Sequence, residues 1–253
     1  MVHGLDEPLN KMSLNQTPFE KGITRRTGKA REIAETINSN DNYSHSSDLT
    51  SGQALSYDLV LFTNKSAVYF DLIRQYIELS VIRKDMFQGQ QYSVRAMALK
   101  ITNDLTKILP PKSDQRKKVR LIHGIMRAQN PVSPPYDFSK PAFDREMNSF
   151  VNSYSILINN FKLLVAEAQE CSYTPDNPEY TIDKCQSLIN QTELMTKDID
   201  LLLQKIYVIQ EERTIIFSKI KDRCNAIYNR SRFLFGSYDP TFKKIYKLKL
   251  ALL

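Results

Sequence analysis

From Cys185 to Leu234 the apolar residues fall into two interleaved rows that repeat every seven positions. With Thr192 as position a, the a positions are Cys185, Thr192, Ile199, Ile206, Arg213, Ile220, Ile227 and Leu234. The d positions are Leu188, Met195, Leu202, Ile209, Ile216, Arg223 and Arg230. Eleven of these fifteen are apolar, counting Cys185, in a chain that is 42% hydrophobic, so the pattern is a helical face and not an effect of composition. Ile189, Leu203, Phe217 and Cys224 at the e positions widen the stripe beyond a two-stranded seam. That width predicts a helix in a multi-helix bundle. The 57 residues from Glu179 to Phe235 contain neither Pro nor Gly. Fully helical, such a stretch spans roughly 85 Å at ~1.5 Å per residue, and a helix of that length needs partners to be stable.

A second long segment runs from Ala54 to Leu109, with apolar residues mostly three or four apart (Leu55, Leu59, Phe62, Tyr69, Ile73, Tyr76, Val94, Met97, Ile101, Leu105 and Ile108). Gly89, set among glutamines, is its one interruption, and the helix either kinks or breaks there. Pro110 and Pro111 end it. A short helix follows over Asp114 to Gln129, with Val119, Ile122 and Met126 on one side. Residues 130–141 hold four prolines and are expected to be irregular. Ala142 to Cys171 reads as another helix, its inner face formed by Phe143, Met147, Phe150, Tyr154, Leu157, Ile158, Phe161, Leu164 and Val165. Gly236 suits a helix C′ position and Asp239–Pro240 an N-cap followed by N1, starting a final helix that runs to Leu253. The matching lengths predict an all-α, elongated, antiparallel bundle of three to five helices, two of them very long. Residues 38–52 form a Ser/Asn/Asp-rich tract, preceded by one short candidate helix at Lys29 to Ile37. Residues 1–53 are therefore expected to be a mobile or docking tail with a polar linker, leaving 54–253 as the bundle.

Composition narrows the functional classes. Trp is absent and Gly scarce, which disfavours a loop-rich enzyme. The longest apolar run is far short of a transmembrane span. Met1 to Met12 has no apolar core of a secretory signal, so a cytoplasmic location is expected. Cys171, Cys185 and Cys224 lack the paired spacing of a zinc site and are expected to be reduced core residues. His3, His45 and His123 occur in no Glu-x-x-His motif. Gly22 to Ala30 (GITRRTGKA) has the wrong glycine spacing for a phosphate-binding loop, and Ala30 stands where a metal-binding hydroxyl would be needed. No catalytic constellation emerges, and neither an enzyme activity nor a cofactor or metal is expected.

Charge supplies the one candidate site. The net charge is +7. Lys112, Arg116, Lys117, Lys118, Arg120 and Arg127 cluster against Asp114 alone, and Lys243, Lys244, Lys247 and Lys249 against Asp239 alone. In an antiparallel bundle both clusters would meet at one pole, with Arg223 and Arg230 interrupting the apolar seam as it approaches. The candidate anion-binding pole is thus Lys112, Arg116, Lys117, Lys118, Arg120, Arg223, Arg230, Lys243, Lys244 and Lys247. A bland reading stands beside it: a solvated basic end, with the seam arginines paired to acidic residues of neighbouring helices.

Arg232 to Phe242 (RFLFGSYDPTF) resembles the FG-x-x-S-P-x-Y turn that closes long helices in some uncharacterised bacterial bundle proteins, with Asp239 in place of the Ser and Phe242 in place of the Tyr. The resemblance covers this turn alone and implies a fold type and no activity. The expected role is non-enzymatic: protein–protein interaction, self-association or a structural spacer, with binding of an anionic phospholipid or nucleic-acid surface as the alternative.

Overall fold

The computed structural model describes residues 18–89, 91–129 and 143–250. The expected irregular segment 130–141, the first 17 residues of the expected tail, the last residues of the final helix and the side chains of Phe143, Met147 and Phe150 lie outside them. The described residues form seven α-helices and no strand: α1 (Pro18–Asn38), α2 (Gly52–Gln88), α3 (Val94–Ile108), α4 (Asp114–Ala128), α5 (Phe143–Glu170), α6 (Ile182–Phe235) and α7 (Pro240–Leu250). Single 3-10 turns occur at Asp48–Thr50 and Pro178–Tyr180. The all-α class is as expected; the number of helices exceeds the expected three to five.

One of the extra helices comes from Gly89. The Gly89 N–H donates to the Asp85 carbonyl at 2.7 Å. A Cβ at Gly89 would lie 2.6 Å from that same oxygen, so only glycine fits this close approach. Tyr92 then takes a left-handed φ of 56°, and the Ser93 hydroxyl caps α3 by accepting from the Ala96 N–H. The long segment therefore breaks into α2 and α3. At the far end of α6, Gly236 has φ +73°, and Asp239 Oδ1 accepts from the Thr241 N–H at 2.7 Å, capping α7.

The chain divides into two compact units, one of residues 1–69 with 208–253 and one of residues 70–207. Both α2 and α6 contribute to each. In the first unit Ala30, Ile33, Ala34 and Ile37 of α1 pack with Leu55, Leu59 and Phe62 of α2, with Ile216, Ile220, Cys224 and Ile227 of α6, and with Ile245 and Leu248 of α7. This corrects the expected boundary at residue 53. Residues 18–53 belong to the folded unit because a stripe of two alanines and two isoleucines, each at most 4% exposed, buries against three other helices. The polar tract is folded too, through hydrogen bonds in place of apolar burial. The Tyr43 hydroxyl donates to the Thr50 carbonyl at 2.7 Å, and Thr50 Oγ1 accepts from the N–H groups of Ser46 and Ser47. GITRRTGKA lies wholly inside α1, so it forms no loop at all.

In the second unit α3 buries Val94, Met97, Ala98, Ile101 and Leu105, and α4 buries Val119, Ile122 and Met126, the side anticipated for it. Tyr154, Leu157, Phe161 and Leu164 of α5 are at most 1% exposed. Along α6, every a position from Cys185 to Ile227 is buried, whereas the d residues Leu188, Met195, Ile209, Arg223 and Arg230 are only half-buried. The e residues Ile189, Leu203, Cys224 and Ser231 are buried instead. The helix thus buries a throughout that span and e more often than d, with Leu202 and Ile216 the d residues that stay buried.

Burial pushes the Cys185 thiol up to about 11 and the Cys224 thiol up to about 12. A raised thiol pKa means little reactive thiolate at neutral pH. In the native protein at pH 8, Ellman's reagent is expected to reach Cys171, which is half-buried, and to leave Cys185 and Cys224 untouched until denaturant is added. Release of three equivalents of chromophore from the native protein at a single rapid rate would refute this.

Candidate functional site

The basic residues singled out in the sequence do not gather in one unit. Lys112, Arg116, Lys117, Lys118 and Arg120 belong to the unit 70–207; Arg223, Arg230, Lys243, Lys244 and Lys247 belong to the other. The single pole was expected from an antiparallel bundle of long helices; the segment 54–109 consists of two helices, α2 and α3.

Several of the ten are engaged within their own unit. Lys117 pairs with Asp114 at 2.8 Å, and Lys118 pairs with Glu167, whose side chain is only 5% exposed. The Lys118 pKa is raised, chiefly by its hydrogen bond to Glu167. Arg116 Nη1 donates to the Leu109 carbonyl at 3.3 Å, closing the turn between α3 and α4. Lys112 and Arg120 are exposed.

Arg223 sits at the mouth of the other unit's core. Its Nε donates to Asp58 of α2 at 2.6 Å and its Nη2 to Asp48 at 2.8 Å, while Nη1 meets the Asp48 carbonyl. Burial opposes the Arg223 charge, but its hydrogen bonds to Asp48 and Asp58 outweigh that and raise the pKa. Arg230 donates to the Ser44 carbonyl at 2.9 Å and to Ser44 Oγ at 3.2 Å. These two arginines hold residues 44–48 against α6. They are fasteners of the polar tract, so their place in the seam serves the fold and they do not form an open anion site. Lys243 lies over the Tyr238 ring at 5.8 Å, and Lys244 and Lys247 are exposed on α7.

A different feature of α6 faces outward. Leu194, Leu201, Val208 and Ile215 are 62%, 47%, 56% and 52% exposed, against an inner face that is nearly all buried. They are spaced by seven, at heptad position c. Leu194 and Leu201 lie in one unit, Val208 and Ile215 in the other. Exposed charges of both signs flank them: Lys197, Asp198, Lys205, Glu211 and Lys219. Repeated large apolar side chains in solvent, bordered by charge, have the make-up of a helix-contact seam. No family model, no curated protein and no solved structure matches this chain. The surface must therefore be read from its own chemistry.

Sequence periodicity alone missed this row because the a, d and e positions already accounted for the apolar face. The signal that would have found it is the seven-residue recurrence itself, in a register two positions beyond a. Among the described residues no group of His, Cys, Asp and Glu is placed to hold a metal ion. No described helix is long and apolar enough to cross a membrane.

Proposed function

We propose that this chain is a non-enzymatic helical protein that works by helix-to-helix contact, with the exposed row on α6 as its docking seam. The observation that carries this reading is the exposure of Leu194, Leu201, Val208 and Ile215 at heptad spacing. Burying such a side chain is worth about 1.5–3 kcal/mol if it becomes fully covered. The partner with the most direct claim is a second copy of the chain, because two identical α6 rows share one repeat and meet in register. The antiparallel bundle and the spacer role belong to the same proposal. Their support is the pairing of α2 with α6 at Asp58–Arg223 and Lys65–Glu212, where residue numbers rise along one helix as they fall along the other. The likeness of the 232–242 turn to bacterial bundle proteins adds only a fold type.

Binding to an anionic surface has weaker support. Its two basic clusters lie in separate units, and Arg223, Arg230, Lys117 and Lys118 already have partners.

The test is the oligomeric state of the full chain by sedimentation. Wild type is expected to self-associate at tens of micromolar or below. Leu201→Glu with Val208→Glu is expected to weaken that association at least about 100-fold, since each places a charge where apolar burial is required. The helical signal is expected to stay unchanged, because both positions are solvent-exposed in the single chain, while the thermal midpoint is expected to lose its dependence on protein concentration. A wild-type chain that remains monomeric at several hundred micromolar would rule out self-association through this row.

A further inference from the structure

In the unit of residues 1–69 with 208–253, the outer side of the α2–α6 pair carries a groove whose two walls come from different helices. Side-chain contacts fix how the helices meet. Asp58 pairs with Arg223 at 2.6 Å, and Lys65 pairs with Glu212 at 2.6 Å. Arg213 donates to Ser66 at 3.1 Å, and the Phe62 and Phe217 ring centres lie 5.7 Å apart. Residue numbers rise along α2 as they fall along α6, so the two run antiparallel here.

A helix turns about 100° per residue. Measured from Asp58, the core residues Leu55, Leu59 and Phe62 lie about 40–100° round one way, and Tyr57, Leu61 and Val68 lie about 60–100° round the other. Measured from Arg223, Ile216, Ile220 and Ile227 lie about 20–60° round toward the core, and Val208 and Ile215 lie about 60–80° the opposite way. Antiparallel helices screw in opposite senses when viewed from one end, so the same turn on each leads to the same side of the pair. Tyr57, Leu61 and Val68 therefore flank one groove together with Val208 and Ile215, and the two ion pairs form its floor. Tyr57 is 69% exposed and Val68 47%, as open as the α6 side chains opposite. Leu61 is half-buried.

The α2 wall runs for about 16 Å, enough to receive three turns of another helix. The described charges along the rim are Lys65 and Lys219 against Glu211, Glu212 and Asp222. Neither sign dominates, which disfavours a strongly basic or strongly acidic partner. A second copy brings the same mixture and can set each charge opposite its complement. It also brings an α6 whose Val208 and Ile215 share the heptad repeat. We propose that this groove receives α6 of a second copy, each α6 lying between α2 and α6 of the other, so that two helix pairs stack as a twofold-symmetric four-helix layer. This rests on the reading of the α6 row as a docking seam and adds α2 as its second wall.

The experiment is sedimentation equilibrium of the full-length chain, with far-UV circular dichroism to confirm that each variant folds. Tyr57→Glu with Val68→Glu, on α2 alone, is expected to weaken self-association at least about 10-fold, because charge then stands where apolar burial is required. Ala67→Glu, on an exposed side of α2 turned away from the groove, is expected to leave association unchanged. Should the charged double variant fail to fold, Tyr57→Ser with Val68→Ser removes the apolar wall without adding charge and is expected to weaken association at least about fivefold. If wild type associates, Leu201→Glu with Val208→Glu abolishes it and the folded α2 variants leave it untouched, the groove is overturned and the α6 seam stands. Equal weakening by Ala67→Glu and by the groove variants also overturns the groove, since the loss then follows any charge added to α2. A wild-type chain that stays monomeric at several hundred micromolar overturns seam and groove together, and makes a helix of another protein the remaining occupant.

Discussion

Arg213→Ala is expected to destabilise the unit built from residues 1–69 and 208–253 by about 3–5 kcal/mol, the usual cost of breaking a buried ion pair. Arg213 occupies an a position of the α6 heptad and is 5% exposed. Its Nη1 and Nη2 donate to the two carboxylate oxygens of Glu20 at 3.1 and 2.8 Å, and its Nε donates to Ser66 Oγ at 3.1 Å. The guanidinium also lies 4.2 Å from the Tyr69 ring centre and 5.4 Å from that of Phe62. One side chain therefore joins α1, α2 and α6, and its loss leaves the Glu20 carboxylate buried without its guanidinium. Replacing both partners by apolar residues is a milder change, because no charge is then left behind. Glu20→Leu with Arg213→Met is expected to recover more than half of the stability lost in Arg213→Ala. Urea unfolding followed by far-UV circular dichroism provides the measurement, since the chain has no Trp. An Arg213→Ala midpoint equal to wild type would show that the pair contributes nothing.

Arg83 in the unit 70–207 is expected to respond to volume more than to charge. It is 0% exposed, among the largest fully buried side chains, and its guanidinium stacks 4.4 Å from the Tyr154 ring centre. Burial lowers its pKa, while Tyr154, Tyr76 and Asp200 oppose that shift. A base whose folded pKa is depressed costs the fold stability wherever it is charged, and arginine stays charged at every working pH. Arg83→Ala opens a cavity and is expected to cost about 3–5 kcal/mol, as truncation of other large buried side chains does. Arg83→Met keeps most of the volume and removes the desolvated charge, so its cost is expected to be less than a third of that. Equal losses in the two variants would assign the role to the charge. The nearby Asp200 supplies a pH test. Burial raises its pKa, with Arg83 pulling the other way. An acid with a raised folded pKa keeps its proton longer in the folded state. Stability therefore falls as pH rises from the ordinary carboxyl value of 3.8 through the raised one. Asp200→Asn is expected to flatten the stability profile in that window.

The periodic helices were legible because their signal is local. The apolar face of α4, the glycine C′ residue and the Asp239 cap each depend on neighbours within four residues. The first helix was legible only in part: the candidate Lys29 to Ile37 lies inside α1, but its place in the core was not readable. Ala30 and Ala34 carry little hydrophobic signal, yet they are what lets α1 approach α2, α6 and α7. The polar tract 38–52 looked like a linker because its partners, Arg223, Arg230 and Thr241, lie 175 to 201 residues away in the chain. A glycine among glutamines leaves kink and break equally open, and only the structure shows the break between α2 and α3.

Chain order alone settled the all-α class and the long helix α6, because a heptad without Pro or Gly has one regular solution that buries its apolar side. It did not settle which sides of that helix stay covered. A small rotation of α6 favours e over d on the inner face, although Leu202 and Ile216 stay buried, and leaves Leu194, Leu201, Val208 and Ile215 in solvent. That rotation is set by how neighbouring side chains fill space and by where buried charges such as Arg213 and Arg83 find their partners. Both are properties of residues distant in sequence, and only the packed tertiary structure brings them together.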